Sequence, residues 1–323
     1  MGSKKPLVLT PSIKITQPKT HEIAVVQEWA KEHNIKCATV AKEAWNTLLP
    51  LLSTTSLLVA VSFGLFIPRR ILAQVESTIN VHPSLLPQYR GPSPIHHAIL
   101  NGDQYTGVSL QTLSHQGFDK GTIFAQSSPM AIEDKDTLTD LWSRLGEIGA
   151  EMLVKCIQNR TFLNPEPIPT FAQPSYAGFI LPQIDWTATS GTKAIRMSRI
   201  FDPETGAISL ETGKRVPIHL RGIHARQQGA GRKNPGQFFV ARYALTGDKR
   251  MVVVCDEGET VWVDQVKVSG RNWISGLEFA NTAADRFWGG KFVPWRREFE
   301  DIDPNEFGYR AADASTAQDP MPS

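Results

Sequence analysis

A chain of 323 residues, 41% apolar and 20% charged, is too long for one ordinary core and comfortable for two, and its composition excludes a disordered chain. The net charge is only +2, but residues 187–250 hold twelve Lys or Arg against four Asp or Glu, which fits either a phosphate-contacting surface or a solvated basic face. The most apolar run, Leu57 to Ile67, is interrupted by Ser62 and Gly64 and is much shorter than the ~20 residues of a membrane span; no targeting peptide is expected in Met1 to Lys5, and Cys37, Cys156 and Cys255 are read as reduced and structural.

In chain order, Leu7 to Thr10 and Lys36 to Val40 are β-rich and flank Glu22 to His33, where Ile23, Val26 and Ala30 have helical spacing. Leu57 to Ser62 and Thr78 to Val81 are short and apolar or β-branched, the pattern of buried parallel strands. Gly107 to Leu113 and Thr122 to Gln126 predict two further strands, joined by a loop with Gly117, Asp119 and Gly121. Asp136 can cap a long helix whose apolar positions run Leu138, Leu141, Trp142, Leu145, Ile148, Met152 and Leu153. Residues 1–163 are therefore expected to form an α/β domain. Prolines 165, 167, 169 and 174 predict a stiff linker over 164–174.

Beyond it the pattern changes. After a helix around Lys193 to Ile200, strands are predicted at Ala207 to Leu210, Val216 to Leu220, Gln237 to Tyr243, Met251 to Cys255 and Thr260 to Val268. Five short strands with glycine-containing turns imply a small closed barrel of the oligonucleotide-binding type, spanning 175–300 with a last helix at Trp273 to Phe287. The Pro-, Ala-, Ser- and Asp-rich residues 301–323 are expected to be disordered.

The chemistry concentrates after the strand Thr78 to Val81. Asn80 and His82 are two apart, so on an extended strand end they point the same way, at the carboxyl end of a sheet where α/β folds bind ligands. An amide donor and a titratable proton together can stabilise an oxyanion on a carbonyl carbon under attack. Asp119, on the neighbouring loop, can hold His82 protonated. Spacing alone equally allows a structural histidine, a turn at Ser84 to Pro87 and an aspartate bonded to its own backbone.

The string Asn80-x-His82-x-Ser84-Leu85-Leu86-Pro87-x-x-Arg90-Gly91 with Pro94, followed by Gly117-Phe118-Asp119-x-Gly121, resembles the signature of the folate-dependent formyltransferases. The resemblance implies a Rossmann-like, doubly wound, mostly parallel sheet in which Asn80, His82 and Asp119 are catalytic. It also implies a folate site formed by Ser84, Leu85, Leu86 and Pro87, with Leu65, Phe66 and Ile67 lining the pterin pocket. Ile184-Asp185-Trp186, the Pro235-Gly236 turn and the stretch from Val266 to Gly289 are similar to the C-terminal barrel domain of the methionyl-tRNA branch of that family. That similarity implies formyl transfer from 10-formyltetrahydrofolate to the amine of methionyl-initiator tRNA, without a metal. The expected partners are the initiator tRNA and the folate co-substrate, with no membrane, and the expected state is a monomer.

Two features depart from the pattern. The family's first strand, turn and helix have no counterpart ahead of Leu7, and an incomplete, poorly stable chain is the expectation. The first strands then either pair directly, Leu7 to Thr10 with Leu57 to Ser62, or leave a gap. The stretch Gly222 to Asn234 is longer and more basic than in a bacterial member; Arg226, Arg232 and Lys233 are its candidate tRNA contacts, and an organelle enzyme, mitochondrial, is the resulting expectation. The competing readings are formyl transfer to an amino sugar or nucleotide, and an RNA-binding protein with little catalysis.

Overall fold

The computed structural model describes residues 7–11, 25–40, 45–52, 55–170, 172–180, 184–201, 205–211, 214–226, 231, 233–242, 247–268, 270–286 and 292–293. β1 (Leu7–Pro11), α1 (Val25–Glu32) and β2 (Lys36–Val40) form the expected strand–helix–strand start, β1 and β2 running parallel. A 3-10 turn at Trp45–Leu48 leads into α2 (Leu49–Leu52), and β3 (Leu57–Val61), α3 (Arg69–Leu72) and β4 (Ser77–His82) follow. β4 runs one residue beyond the expected strand and carries His82 at its end. β3 and β4 are parallel, with Ala60 beside Asn80. β1 and β3 share an apolar cluster in which Leu9 and Val40 pack with Leu58, Ala60 and Ile71, yet among the described residues no ladder joins them. Direct pairing of the first strands is therefore not adopted.

α4 (Pro94–Asn101) opens on a proline and ends at Gly102, whose φ of 73° is a left-handed conformation that glycine takes without a side-chain clash. β5 (Tyr105–Thr106) pairs with β8 (Met130–Ala131), while β6 (Ser109–Gln111) and β7 (Ile123–Gln126) extend the main sheet to the order β3-β4-β6-β7. β6 lies antiparallel to β4, and β7 to β6, so the expectation of a mostly parallel sheet is corrected. A loop as short as the one carrying Asp119 returns the chain antiparallel, because a parallel return needs a crossover of a dozen or more residues.

α5 (Leu138–Asn159) buries Leu141 and Leu145 against the sheet. Its cap is Thr137 and not Asp136: the Thr137 side chain accepts from the Asp140 N–H and the Asp140 carboxylate accepts from the Thr137 N–H, a reciprocal capping box. Asp136 instead accepts the Glu133 N–H and pairs with Arg144.

The second half contains α6 (Gly191–Phe201), β9 (Thr205–Glu211), β10 (Lys214–Arg226), β11 (Phe238–Arg242), β12 (Lys249–Val254), β13 (Thr260–Val268), β14 (Ile274–Ser275), α7 (Gly276–Arg286) and β15 (Phe292–Val293). The predicted helix at Trp273 to Phe287 is thus shortened, since Ile274 and Ser275 pair with β13; Phe287, like the tail over 301–323, lies outside the described residues. One antiparallel sheet runs β11-β12-β13-β10-β9-β15, with β14 on β13. Ile218, Leu220 and Ile223 of β10 and Val261, Val263 and Val266 of β13 bury against Trp186, Phe238, Phe279 and Phe292. The Phe292 N–H donates to the Gly236 carbonyl at 2.8 Å, just ahead of β11, so the two ends of the sheet meet.

Two cations of the basic region hold the halves together. Arg196 donates to the Leu100 carbonyl at 3.3 Å, and Arg199 to the carbonyls of Asp136 and Glu133 at 2.8 and 3.0 Å. These charges serve the interface between the halves, which the count of lysines and arginines alone does not reveal.

Candidate active site

β4 delivers Asn80 and His82, two residues apart, to the floor of a cavity of about 380 Å³. Asp119 reaches the same point from the β6–β7 loop, held there with φ of 54°, a left-handed conformation that a short polar side chain tolerates. Its carboxylate is the centre of the cluster. Oδ1 accepts from Asn80 Nδ2 and Gln111 Nε2, both at 2.8 Å, and lies 3.4 Å from His82 Nδ1; Oδ2 accepts from the Gly91 N–H at 2.8 Å. The His82 and Asp119 side chains are 6% and 9% exposed, so these bonds are sheltered from competing water.

The other imidazole nitrogen is also committed. His82 Nε2 lies 2.8 Å from the Tyr89 carbonyl oxygen, and a carbonyl only accepts, so Nε2 carries a hydrogen and Nδ1 is the nitrogen turned to Asp119. Tyr89 itself is anchored: its hydroxyl donates to Asp103 at 2.7 Å and accepts from Asn101 at 2.9 Å. Burial, with Asp103 adding to it, pushes that hydroxyl up to about 12. Gln111 binds the loop on both sides of its amide, its Oε1 accepting the Gly121 N–H at 3.2 Å.

The cavity is also lined by Leu65, Phe66 and Ile67 and by Phe118, whose ring meets Phe66 edge-on at 5.4 Å. Ser84, Leu85, Leu86 and Pro87 do not line it. Ser84 Oγ donates to the Gln88 carbonyl at 2.6 Å, and Ser109 Oγ bridges the Ser84 carbonyl and the Leu86 N–H at 2.7 and 2.9 Å. These residues brace the loop that follows His82, because their polar atoms are spent on the loop and on β6.

The candidate tRNA contacts lie on the second half. Arg226 packs over Trp262 and Phe239 at 5.2 and 5.8 Å and donates to Thr260 Oγ1 at 3.0 Å, and burial lowers its guanidinium from the ordinary value. Lys233 Nζ stands 4.4 Å over the Phe239 ring; Arg232 lies outside the described residues. Sequence reasoning missed Gln111, the Gly91 N–H, the Tyr89 carbonyl, and Trp142 and Phe179 at the cavity. None of these left a clear signal in the sequence, since Gln111 shares its short strand with another polar residue, Ser109. Among the described residues no group of three or more His, Cys, Asp or Glu is placed to hold a metal, and no helix is long and apolar enough to cross a membrane.

Residues 8–157 match the family model described as formyl transferase, and residues 182–284 the model for the formyl transferase C-terminal domain. The chain is 33% identical over 235 residues to the methionyl-tRNA formyltransferase of Heliobacterium modesticaldum, covering 69% of this chain and 71% of that one. It is 36% identical over 170 residues to the mitochondrial methionyl-tRNA formyltransferase of Saccharomyces cerevisiae, covering 45% of this chain and 42% of the yeast protein. Among solved structures, HypX from Aquifex aeolicus in complex with tetrahydrofolic acid superposes with a TM-score of 0.54 at 16% identity, over 86% of this chain and 47% of that one. A likely sugar N-formyltransferase from Mycobacterium tuberculosis superposes at 0.50 and 16%, over 68% and 97%. These two likenesses concern the fold.

Proposed function

The chain belongs to the methionyl-tRNA formyltransferase family, and from that premise we propose that it transfers the formyl group of 10-formyltetrahydrofolate to the free amine of methionyl-initiator tRNA, for translation initiation. The observation that carries the reading is the sheltered cluster of Asn80, His82, Gln111 and Asp119 on the floor of one cavity. Residues 1–163 supply the chemistry; 175–300, a small barrel of the oligonucleotide-binding type, supplies tRNA binding through Arg226, Arg232 and Lys233. The prolines of 164–174 join the two, and the protein works in mitochondria as its yeast relative does.

The cavity suits a flat heteroaromatic donor, since Leu65, Phe66 and Ile67 offer an apolar lining beside a polar floor. Bound there, the folate supplies an activated formyl carbon, and tetrahydrofolate is the leaving group when the substrate amine takes that carbon. His82, as the imidazolium, donates from Nδ1 to the oxygen that gains negative charge while Nε2–H stays on the Tyr89 carbonyl, and Asn80 assists with the amide hydrogen not given to Asp119. Asp119 aligns the imidazole and receives the proton that the amine loses, returning it to the leaving nitrogen through water. Gln111 and Gly91 keep the carboxylate in place. Ser84 to Pro87 serve the folate site indirectly, by holding the loop.

The test is transfer of radiolabelled formyl from 10-formyltetrahydrofolate to methionyl-initiator tRNA, run beside a nucleotide-linked amino sugar. Label entering the tRNA alone is expected. Label entering the amino sugar alone overturns the reading, as does tight tRNA binding without any transfer.

A further inference from the structure

Residues 175–179 leave the first half along the catalytic loop and are bonded to it throughout. The Arg90 N–H donates to the Ser175 carbonyl at 2.9 Å, the Ala177 N–H to the Arg90 carbonyl at 2.6 Å and the Ser93 N–H to the Ala177 carbonyl at 3.2 Å, while Ser175 Oγ accepts from the Tyr89 N–H at 2.9 Å. This rigid segment turns two aromatic rings outward: Tyr176 and Phe179 are each 59% exposed. Phe179 lines the catalytic cavity. The Tyr176 ring rests on Gly91, where a Cβ would come within 2.7 Å of it, and the Gly91 N–H is bonded to Asp119. Burial and the Asp119 charge both raise the Tyr176 hydroxyl above its ordinary value.

We propose that Tyr176 and Phe179 form a stacking platform for the terminal nucleobase of the amine-bearing substrate. The inference rests on the functional reading above and names a subsite for it. In an aminoacyl-tRNA the reacting amine belongs to an amino acid esterified to the ribose of the last nucleotide. When the amine reaches His82 and Asp119, that nucleotide's base must lie at the mouth of the cavity, within one nucleotide's length of the carboxylate. Two exposed rings on a hydrogen-bonded segment offer there what an unpaired base binds best, a flat apolar face already fixed in position.

The experiment compares kcat/KM for a methionylated acceptor-stem RNA ending in adenosine with the same RNA ending in an abasic ribose, using the full chain. Removing the base is expected to lower kcat/KM roughly tenfold for the unaltered protein. In the double variant Tyr176→Leu, Phe179→Leu the adenosine-ended RNA should fall to the level of the abasic one; Tyr176→Phe with Phe179→Trp should restore the difference. Equal losses on both RNAs would assign the rings to loop support and overturn the proposal, and a loss confined to KM for the formyl donor would assign them to the folate. If the unaltered protein uses both RNAs equally, the platform is refuted while formyl transfer stands. If it formylates neither, the functional reading falls and the platform with it.

Discussion

Replacing Asp119 by asparagine exchanges one carboxylate oxygen for an NH2 group at a site where every neighbour is a donor. Oδ1 faces the amide hydrogens of Asn80 and Gln111 and Oδ2 the Gly91 N–H, each at 2.8 Å. If the asparagine oxygen takes the Oδ1 position, its NH2 confronts Gly91; in the other orientation it confronts both side-chain amides. Turning the Gln111 amide over gives no relief, because its nitrogen would then meet the Gly121 N–H that its oxygen now accepts. At least one sheltered donor therefore loses its partner, which costs about 1–3 kcal/mol. At about 2–4 °C for each kcal/mol in a domain of this size, melting should fall by a few to about ten degrees. The formylation rate should drop ~100-fold or more, since the charge that aligns His82 is gone. Thermal denaturation and initial rates on methionyl-tRNA read both effects. A variant that melts with the unaltered protein and keeps more than about a tenth of its rate would refute the arrangement of bonds inferred around Asp119.

His82→Ala should lower kcat by ~100-fold or more while folate affinity, measured by fluorescence titration, hardly moves, because a group of this kind acts on the transition state; unchanged kcat removes His82 from the mechanism. Gln111→Leu should slow transfer about tenfold by withdrawing one hydrogen bond to a charged group, and Gln111→Glu should be worse, a carboxylate then facing Asp119; equal, full rates in both sink the positioning role. His96, held below its ordinary value of 6.5 by burial and secondarily by His97, stays neutral where the unfolded chain takes up a proton. Its contribution to stability is full above 6.5 and is lost as pH falls through the lower folded value, so His96→Leu should melt with less acid sensitivity between about pH 7 and 5 than the parent; parallel curves count against it. Changing Arg226, Arg232 and Lys233 to Ala should weaken tRNA binding and flatten its dependence on salt, since fewer counterions are released; an unaltered slope assigns these cations to the solvated face and to packing over Phe239.

Much of the molecule was legible from local pattern. Apolar runs bounded by turns located β1, β2, β3, β4, β12 and β13 to within a residue or two, because a strand that buries at least one face collects apolar and β-branched residues. The 3.6-residue spacing located α5, and the order-specific string from Asn80 to Gly121 picked out the three side chains that meet over the cavity. What pattern could not express was which groups those side chains face. Strand direction in the main sheet, the separation of β1 from β3, and the two-residue strands β14 and β15 depend on partners distant in the chain. So do the roles of Gln111 and of the Gly91 and Tyr89 backbone groups: a backbone N–H or C=O is the same at nearly every residue, and only the fold decides which ones converge on a carboxylate or an imidazole. The tertiary structure likewise moved Ser84 to Pro87 from the cavity to the brace behind it, set the exposed Tyr176 ring on Gly91 and brought Phe179 to the cavity lining, since a segment without periodicity does not say which surface it lies along.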